Sequence, residues 1–235
     1  MNEHISSAYD RDLDAIQTLV FKMGGLVEDA IVSAAKSLET RDTDLADRVR
    51  AADKVIDALE LQINEEAARV IALRAPVSKD LRAILTVLRI AASLERVGDY
   101  AKNMAKRTGT LVDMPQIAGS DAALRRMARE VQAMLKDMLD AYLRRDAVLA
   151  EDVRQRDHEV DQMYNALFRE FLTFMMEDPR NITTCMHLHF MAKNVERMGD
   201  LVTNMAEQVI YLVTGEMPEE ARPKGDETSY VTDVN

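Results

Sequence analysis

One short stretch occurs twice in this chain, and this repetition constrains the fold more than any other feature. Residues 94–105 and residues 195–206 are identical at seven of twelve positions, which include a glutamate, an arginine, a glycine, an aspartate and an asparagine. The two copies begin 101 residues apart, nearly half of the 235-residue chain. Internal repetition at this spacing indicates a duplicated structural unit.

Both copies carry the spacing Glu-x-x-x-Asp-x-x-x-Asn, which places three polar side chains on one face of an α-helix. Steps of three and four back from Asp99 reach Glu95 and then a run of apolar residues. That run is Ala92, Leu88, Leu85 and Leu81. We therefore predict that these carboxylates continue an apolar seam and point inward. A buried carboxylate needs a cation, a shared proton or a metal ion, because desolvating a lone charge is costly.

The rest of the chain predicts an all-α fold. Strong helix formers dominate the composition, and the sequence contains neither strand-like alternation nor hairpin turns. The five prolines all fall outside the interiors of the predicted helices. The predicted helices span about residues 7–40, 43–73, 79–107, 121–145, 147–176 and 181–213. These six long helices form two tandem, pseudo-twofold-related three-helix bundles.

The domain boundaries follow from the same pattern. We predict a first bundle at residues 1–108, a linker at 109–119 and a second bundle at 120–215. The linker contains one proline and two glycines. The polar segment at residues 216–235 is predicted to be a disordered tail.

Charge and composition limit the classes of function. A net charge of −11 argues against nucleic-acid binding, which needs a basic surface, and against docking on anionic lipid. Cys185 is the single cysteine, so no internal disulfide forms and a reducing compartment is expected. The start of the sequence lacks the features of a signal peptide. No apolar run reaches the ~18 residues of a membrane span. We expect a cytoplasmic protein without membrane insertion.

Each repeat contains two acidic pairs with i, i+4 spacing, one on its second predicted helix and one on its third. The pairs are Asp53 with Asp57, Glu95 with Asp99, Asp157 with Asp161, and Glu196 with Asp200. Short turns make the second and third helices antiparallel neighbours, so the four carboxylates of a repeat can meet. Oxygen ligands suit hard divalent cations or iron in carboxylate clusters. These eight residues are the candidate metal ligands.

Two other interpretations of the acidic pairs stay open. They can be ordinary solvated helix faces, or they can form an ion-pair network with Arg96 and Arg197. The recurrence of both pairs, together with Gly98 and Gly199, counts against the surface interpretation. Glycine inside a helix costs roughly 1 kcal/mol relative to alanine, so its repetition indicates a close backbone approach.

The second repeat departs from the first beside its acidic motif. It has His189 and Lys193 where the first repeat has Leu88 and Ala92. Lys193 can neutralise an acid there and lower cation affinity, and His189 can join a metal site. The chain has no P-loop, dinucleotide fingerprint or nucleophile elbow. A non-enzymatic protein is therefore expected, and the alternatives are a metal-dependent enzyme that uses the carboxylates or a metal-free helical scaffold.

The doubled stretch, together with the segments Arg74-Ala75-Pro76 and Asp80-Leu81-Arg82, closely resembles the PhoU family of phosphate-signalling proteins. The resemblance covers about residues 9–214. It implies a cytoplasmic negative regulator of the phosphate-starvation response. Such a protein links the ATPase of the phosphate ABC transporter to a sensor histidine kinase. Family members are often dimeric, so a homodimer is expected.

The resemblance also bears on the acidic pairs. Some members of the family bind iron or zinc clusters through paired acidic motifs. Carried over by position, these motifs fall on the eight carboxylates named above, and the metal is expected to be structural.

Overall fold

The computed structural model describes residues 2–218, with side chains from Tyr9 onward. Its regular structure is entirely helical within that range. The helices are α1 (Asn2–Thr40), α2 (Thr43–Arg74), α3 (Lys79–Leu111), α4 (Ser120–Arg144), α5 (Ala147–Glu177) and α6 (Ile182–Thr214), with a 3₁₀ turn at Pro179–Asn181. The prediction of an all-α chain with six long helices is confirmed. Most of the predicted disordered tail, residues 219–235, lies outside the described residues.

The turn between the first two helices has the same geometry in both repeats. Asp42 caps α2 by accepting a hydrogen bond from the Leu45 backbone N–H, and Asp146 caps α5 in the equivalent way. The residue before each cap is an arginine in the left-handed region, with φ of 51° at Arg41 and 55° at Arg145. Each repeat therefore opens with the same helical hairpin.

Helices α1, α2 and α3 pack on one another as one bundle, and α4, α5 and α6 pack as a second. The two bundles meet along α1 against α4 and along α3 against α6. One continuous apolar core runs through both. The connection between the bundles comprises residues 112–119, because α3 continues to Leu111. The predicted tandem arrangement is thus present.

The predicted inward seam on α3 is wrong. Leu85 is exposed, whereas Ile84 and Val87 are fully buried. The reason is that α3 packs against α1, α2 and α6 at once, so its buried surface is wide and is displaced from the seam. Glu95 and Asp99 consequently lie at the edge of that surface and are only partly buried.

No helix within residues 2–218 combines the length and the apolar character that crossing a membrane would require.

Candidate functional site

The first four candidate residues come together where α2 faces α3. We call Asp53, Asp57, Glu95 and Asp99 the amino-terminal cluster. Burial raises the pKa of Glu95, and the charges of Asp99, Glu60, Asp57 and Asp53 raise it further. Asp53 alone of the four is buried, at 4% exposure. The acids therefore lie close enough to sense one another, in a site that is open to solvent on one side.

Lys102 supplies the positive charge of this cluster. Its Nζ donates hydrogen bonds to Asp53 Oδ2 at 2.5 Å and to Asp99 Oδ1 at 2.6 Å, so it bridges α2 and α3. These hydrogen bonds raise the pKa of Lys102 above its ordinary value. The other carboxylate oxygen of Asp53, Oδ1, is buried and has no hydrogen-bond partner in the described part of the chain. The cluster is thus held by an ammonium group of the chain itself.

Asp57 lies on the solvent side of the amino-terminal cluster. It is exposed, yet its pKa is raised by burial first and by the charge of Asp53 second. Lys102 acts in the opposite direction and lowers it. Asp57 is therefore the acid of the cluster that is most accessible to a partner or an ion.

The second four candidate residues lie where α5 faces α6. We call Asp157, Asp161, Glu196 and Asp200 the carboxyl-terminal cluster. Asp157, Asp161 and Glu196 are 3%, 5% and 6% exposed. The prediction that Asp157 and Asp161 look inward is confirmed. This cluster is far more enclosed than the amino-terminal one.

Lys193 lies beside the carboxyl-terminal cluster. Its Nζ donates to Glu196 Oε1 at 2.9 Å and lies 4.8 Å from the centre of the Tyr164 ring. The prediction that Lys193 neutralises an acid is confirmed. His189 packs among aromatic rings, 5.9 Å from Tyr164 and 5.4 Å from Phe168 between ring centres. Aromatic side chains therefore form part of the enclosure of this cluster.

The two repeated glycines lie where the helices of each cluster approach each other closely. A Cβ atom on Gly98 would lie 3.1 Å from Ile56 Cδ1, and one on Gly199 would lie 3.2 Å from Asp157 Oδ1. The predicted close approach is confirmed. Its consequence is that the acid-bearing helices α2 and α5 lie against α3 and α6 at these positions.

The predicted partners Arg96 and Arg197 take no part in either cluster. Both are exposed, and neither forms an ion pair within residues 2–218. Sequence analysis missed Lys102, although it follows Asp99 by three residues and so shares its face. The repeat comparison concealed it, because Thr203 occupies the equivalent position in the second copy.

As arranged, the clusters do not fit a metal ion. Across residues 2–218, no group of three or more His, Cys, Asp or Glu side chains is placed to hold one. In the amino-terminal cluster the Lys102 ammonium already contacts two of the four acids. Metal ligation by the eight carboxylates stays a prediction.

Comparison with known proteins gives one consistent family. The model of the PhoU domain matches residues 20–108 and 124–209. A phosphate-specific transport system accessory protein PhoU homolog from Rhizobium meliloti is 44% identical over 98% of this chain and 98% of its own. A homolog with the same description from Xylella fastidiosa is 45% identical over 98% of this chain and 95% of its own.

Solved structures agree. The crystal structure of PhoU from Pseudomonas aeruginosa matches with a TM-score of 0.86 and 38% identity, over 88% of this chain and 100% of that one. The phosphate transport system regulatory protein PhoU from Streptococcus pneumoniae matches with a TM-score of 0.84 and 28% identity. That match covers 90% of this chain and 100% of the other.

Proposed function

The chain belongs to the PhoU family, and from this premise we propose that it is a regulatory accessory protein of a phosphate-specific transport system and not an enzyme. The observation that carries the proposal is the end-to-end match to the Rhizobium meliloti accessory protein, which covers 98% of both chains. The rival prediction of a metal-dependent enzyme finds no specific support among the described residues.

The finer role that we propose is negative regulation of the phosphate-starvation response. The protein acts as a cytoplasmic adaptor between the transporter ATPase and a sensor histidine kinase, and it does so as a homodimer. Two features support an adaptor. Six helices of 25 to 39 residues present long faces for docking. A net charge of −11 favours partners with basic surfaces, since charge complementarity steers association.

A structural iron or zinc ion at the acidic clusters belongs to the proposal as a separate element. It would require Lys102 to leave Asp53 and Lys193 to leave Glu196. Metal analysis of protein purified without chelators or a metal-binding tag tests this. About one equivalent or more of a transition metal supports it, and less than that, with melting unchanged in EDTA, contradicts it.

Co-purification tests the adaptor role. The full chain serves as bait for native-host membranes solubilised in mild detergent, from cells grown in high phosphate. We expect to recover a phosphate transporter ATPase or a sensor kinase, and to lose it at high salt because the contact is electrostatic. Recovery of neither by folded bait would contradict the proposal. An unrelated helical protein of similar net charge is the control for non-specific ionic capture.

A further inference from the structure

A cleft of about 290 Å³ opens on the surface where α1 meets α4. Its floor contains two small side chains, Ala35 and Ala128, one from each bundle. The equivalent helix caps Asp42 and Asp146 are 104 residues apart, and the same offset relates Ala35 to Leu139 and Ala128 to Gly24, towards the other end of the same helix pair. There the leucine fills the space, since a Cβ on Gly24 would lie 2.5 Å from Leu139 Cδ1. The cleft is therefore the repeat counterpart of the Leu139–Gly24 contact, without a large side chain to fill it.

Positive charge surrounds this cleft. Lys36 from α1 and Arg125 and Arg129 from α4 all line it. Arg125 Nη1 donates to Glu39 at 2.9 Å, which neutralises that pair. Lys36 and Arg129 are exposed, and within residues 2–218 neither has an ion pair or a side-chain hydrogen bond. Two uncompensated cations thus share one cleft, in a chain whose net charge is −11.

We propose that this cleft binds the phosphate group of a small molecule. Arginine offers a planar fork of N–H donors and lysine a mobile point charge, and the two together suit a phosphate. Val32 adds to the apolar wall made by the two alanines, so an organic body attached to the phosphate can lie against it. The volume is near the lower end of ligand sites, which begin at roughly 300 Å³.

The ligand would join the two bundles. Lys36 belongs to the first bundle and Arg129 to the second, so one phosphate held by both side chains would attract a cation of each bundle. Binding should therefore stabilise the whole chain against unfolding. This inference concerns a site that the proposed regulatory role does not require, and a failure of one leaves the other intact.

Isothermal titration of the full chain tests the site, with inorganic phosphate and AMP as the two probes. We expect one saturable site per chain for at least one probe. Comparing the two titrations distinguishes a site for free phosphate from a site for a phosphate monoester. The double variant Lys36→Gln/Arg129→Gln should bind that probe at least tenfold more weakly. The matched control Lys22→Gln/Arg126→Gln removes one exposed cation from each of the same helices outside the cleft, and should bind like the wild type.

A volume variant gives an independent readout. Ala35→Leu places a leucine at the position whose repeat counterpart is Leu139, so it should fill the cleft and weaken binding of AMP. Circular dichroism melting confirms that each variant is folded. Absence of binding for both probes would overturn the proposal. So would binding that the charge double variant leaves unchanged, or AMP binding that Ala35→Leu leaves unchanged.

Discussion

The two acidic clusters share one sequence pattern and differ in how they are built. In the amino-terminal cluster one carboxylate is buried, and Lys102 reaches it from the helical turn that follows Asp99. In the carboxyl-terminal cluster three are buried, and Lys193 contacts Glu196 from the turn before the motif. The acids and the glycine occupy the same positions in both repeats. The lysine follows the aspartate of the motif in the first repeat and precedes the glutamate of the motif in the second.

This difference shows what the fold requires. The first repeat has Ala92 at the position of Lys193, and the second has Thr203 at the position of Lys102. Each repeat therefore has one lysine at the two positions compared. The common requirement is a positive charge beside buried carboxylates, because an uncompensated buried charge is strongly destabilising.

The largest effect is expected from removing the lysine of the enclosed cluster. Lys193→Met should lower the free energy of unfolding by about 3 kcal/mol, because it leaves Glu196 buried without this cation. Chemical denaturation at pH 7 in EDTA measures the change. Lys136→Met, at an exposed lysine of α4, is the matched control. A loss no larger than that of the control would show that Lys193 does not compensate the cluster.

Lys102→Met should cost less, about 1.5 kcal/mol, because Lys102 and Asp99 are both more than a third exposed and solvent screens them. The same change should raise the affinity for Zn²⁺ at least tenfold, since it removes the ammonium that competes for Asp53. Denaturation in EDTA and titration with Zn²⁺ measure the two effects. Lys106→Met, one turn further along α3, is the control. Unchanged Zn²⁺ affinity would mean that the Lys102 ammonium does not compete with a metal ion for Asp53.

The repeated glycines should respond differently to the same substitution. Gly98→Ala brings a methyl against the flexible end of Ile56, so the gain in helix propensity offsets the contact and stability stays within about 0.5 kcal/mol of wild type. Gly199→Ala brings it against buried Asp157 and Val160, at 3.2 and 3.3 Å, and should cost about 1–2 kcal/mol. Thermal melts of the two variants measure this. Equal changes in stability for the two variants would contradict the inference that the helices pack more tightly at the carboxyl-terminal cluster.

The smallest effect concerns Glu95. Its pKa in the folded state is raised above 4.5 by burial and then by the charge of Asp99, so its ionised form costs stability at neutral pH. That cost disappears as the pH falls through the folded-state pKa. Glu95→Gln should therefore melt roughly 1 °C higher at pH 7 and no higher than wild type below pH 4.5. A difference that does not change with pH would contradict this account.

The sequence was sufficient to predict the helices and the helix that carries each acidic pair. It was insufficient to predict how deeply each acid is buried and which cation contacts it. Helical periodicity and the repeat predicted six helices in two bundles, because both are properties of the chain alone. The burial of Glu95 was wrongly predicted, because the number of helices that surround α3 is not visible in its own periodicity. The repeat comparison also hid Lys102, which has no counterpart in the second copy.

The cleft beside Lys36 and Arg129 was beyond sequence analysis for a different reason. It exists only because α1 of the first bundle lies along α4 of the second. That contact joins residues almost a hundred positions apart, and nothing in either helix alone specifies the partner. A small residue such as Ala128 then becomes informative only once the residue opposite is known.

The most direct test of the account is the response of the native host to loss of this protein in high phosphate. The measurement is expression of a reporter from a phosphate-starvation promoter, with the gene deleted and then restored. We predict that deletion activates the reporter in high phosphate and that the wild-type chain, supplied from a plasmid, silences it again. A reporter that stays silent after deletion would contradict negative regulation of the phosphate-starvation response by this protein.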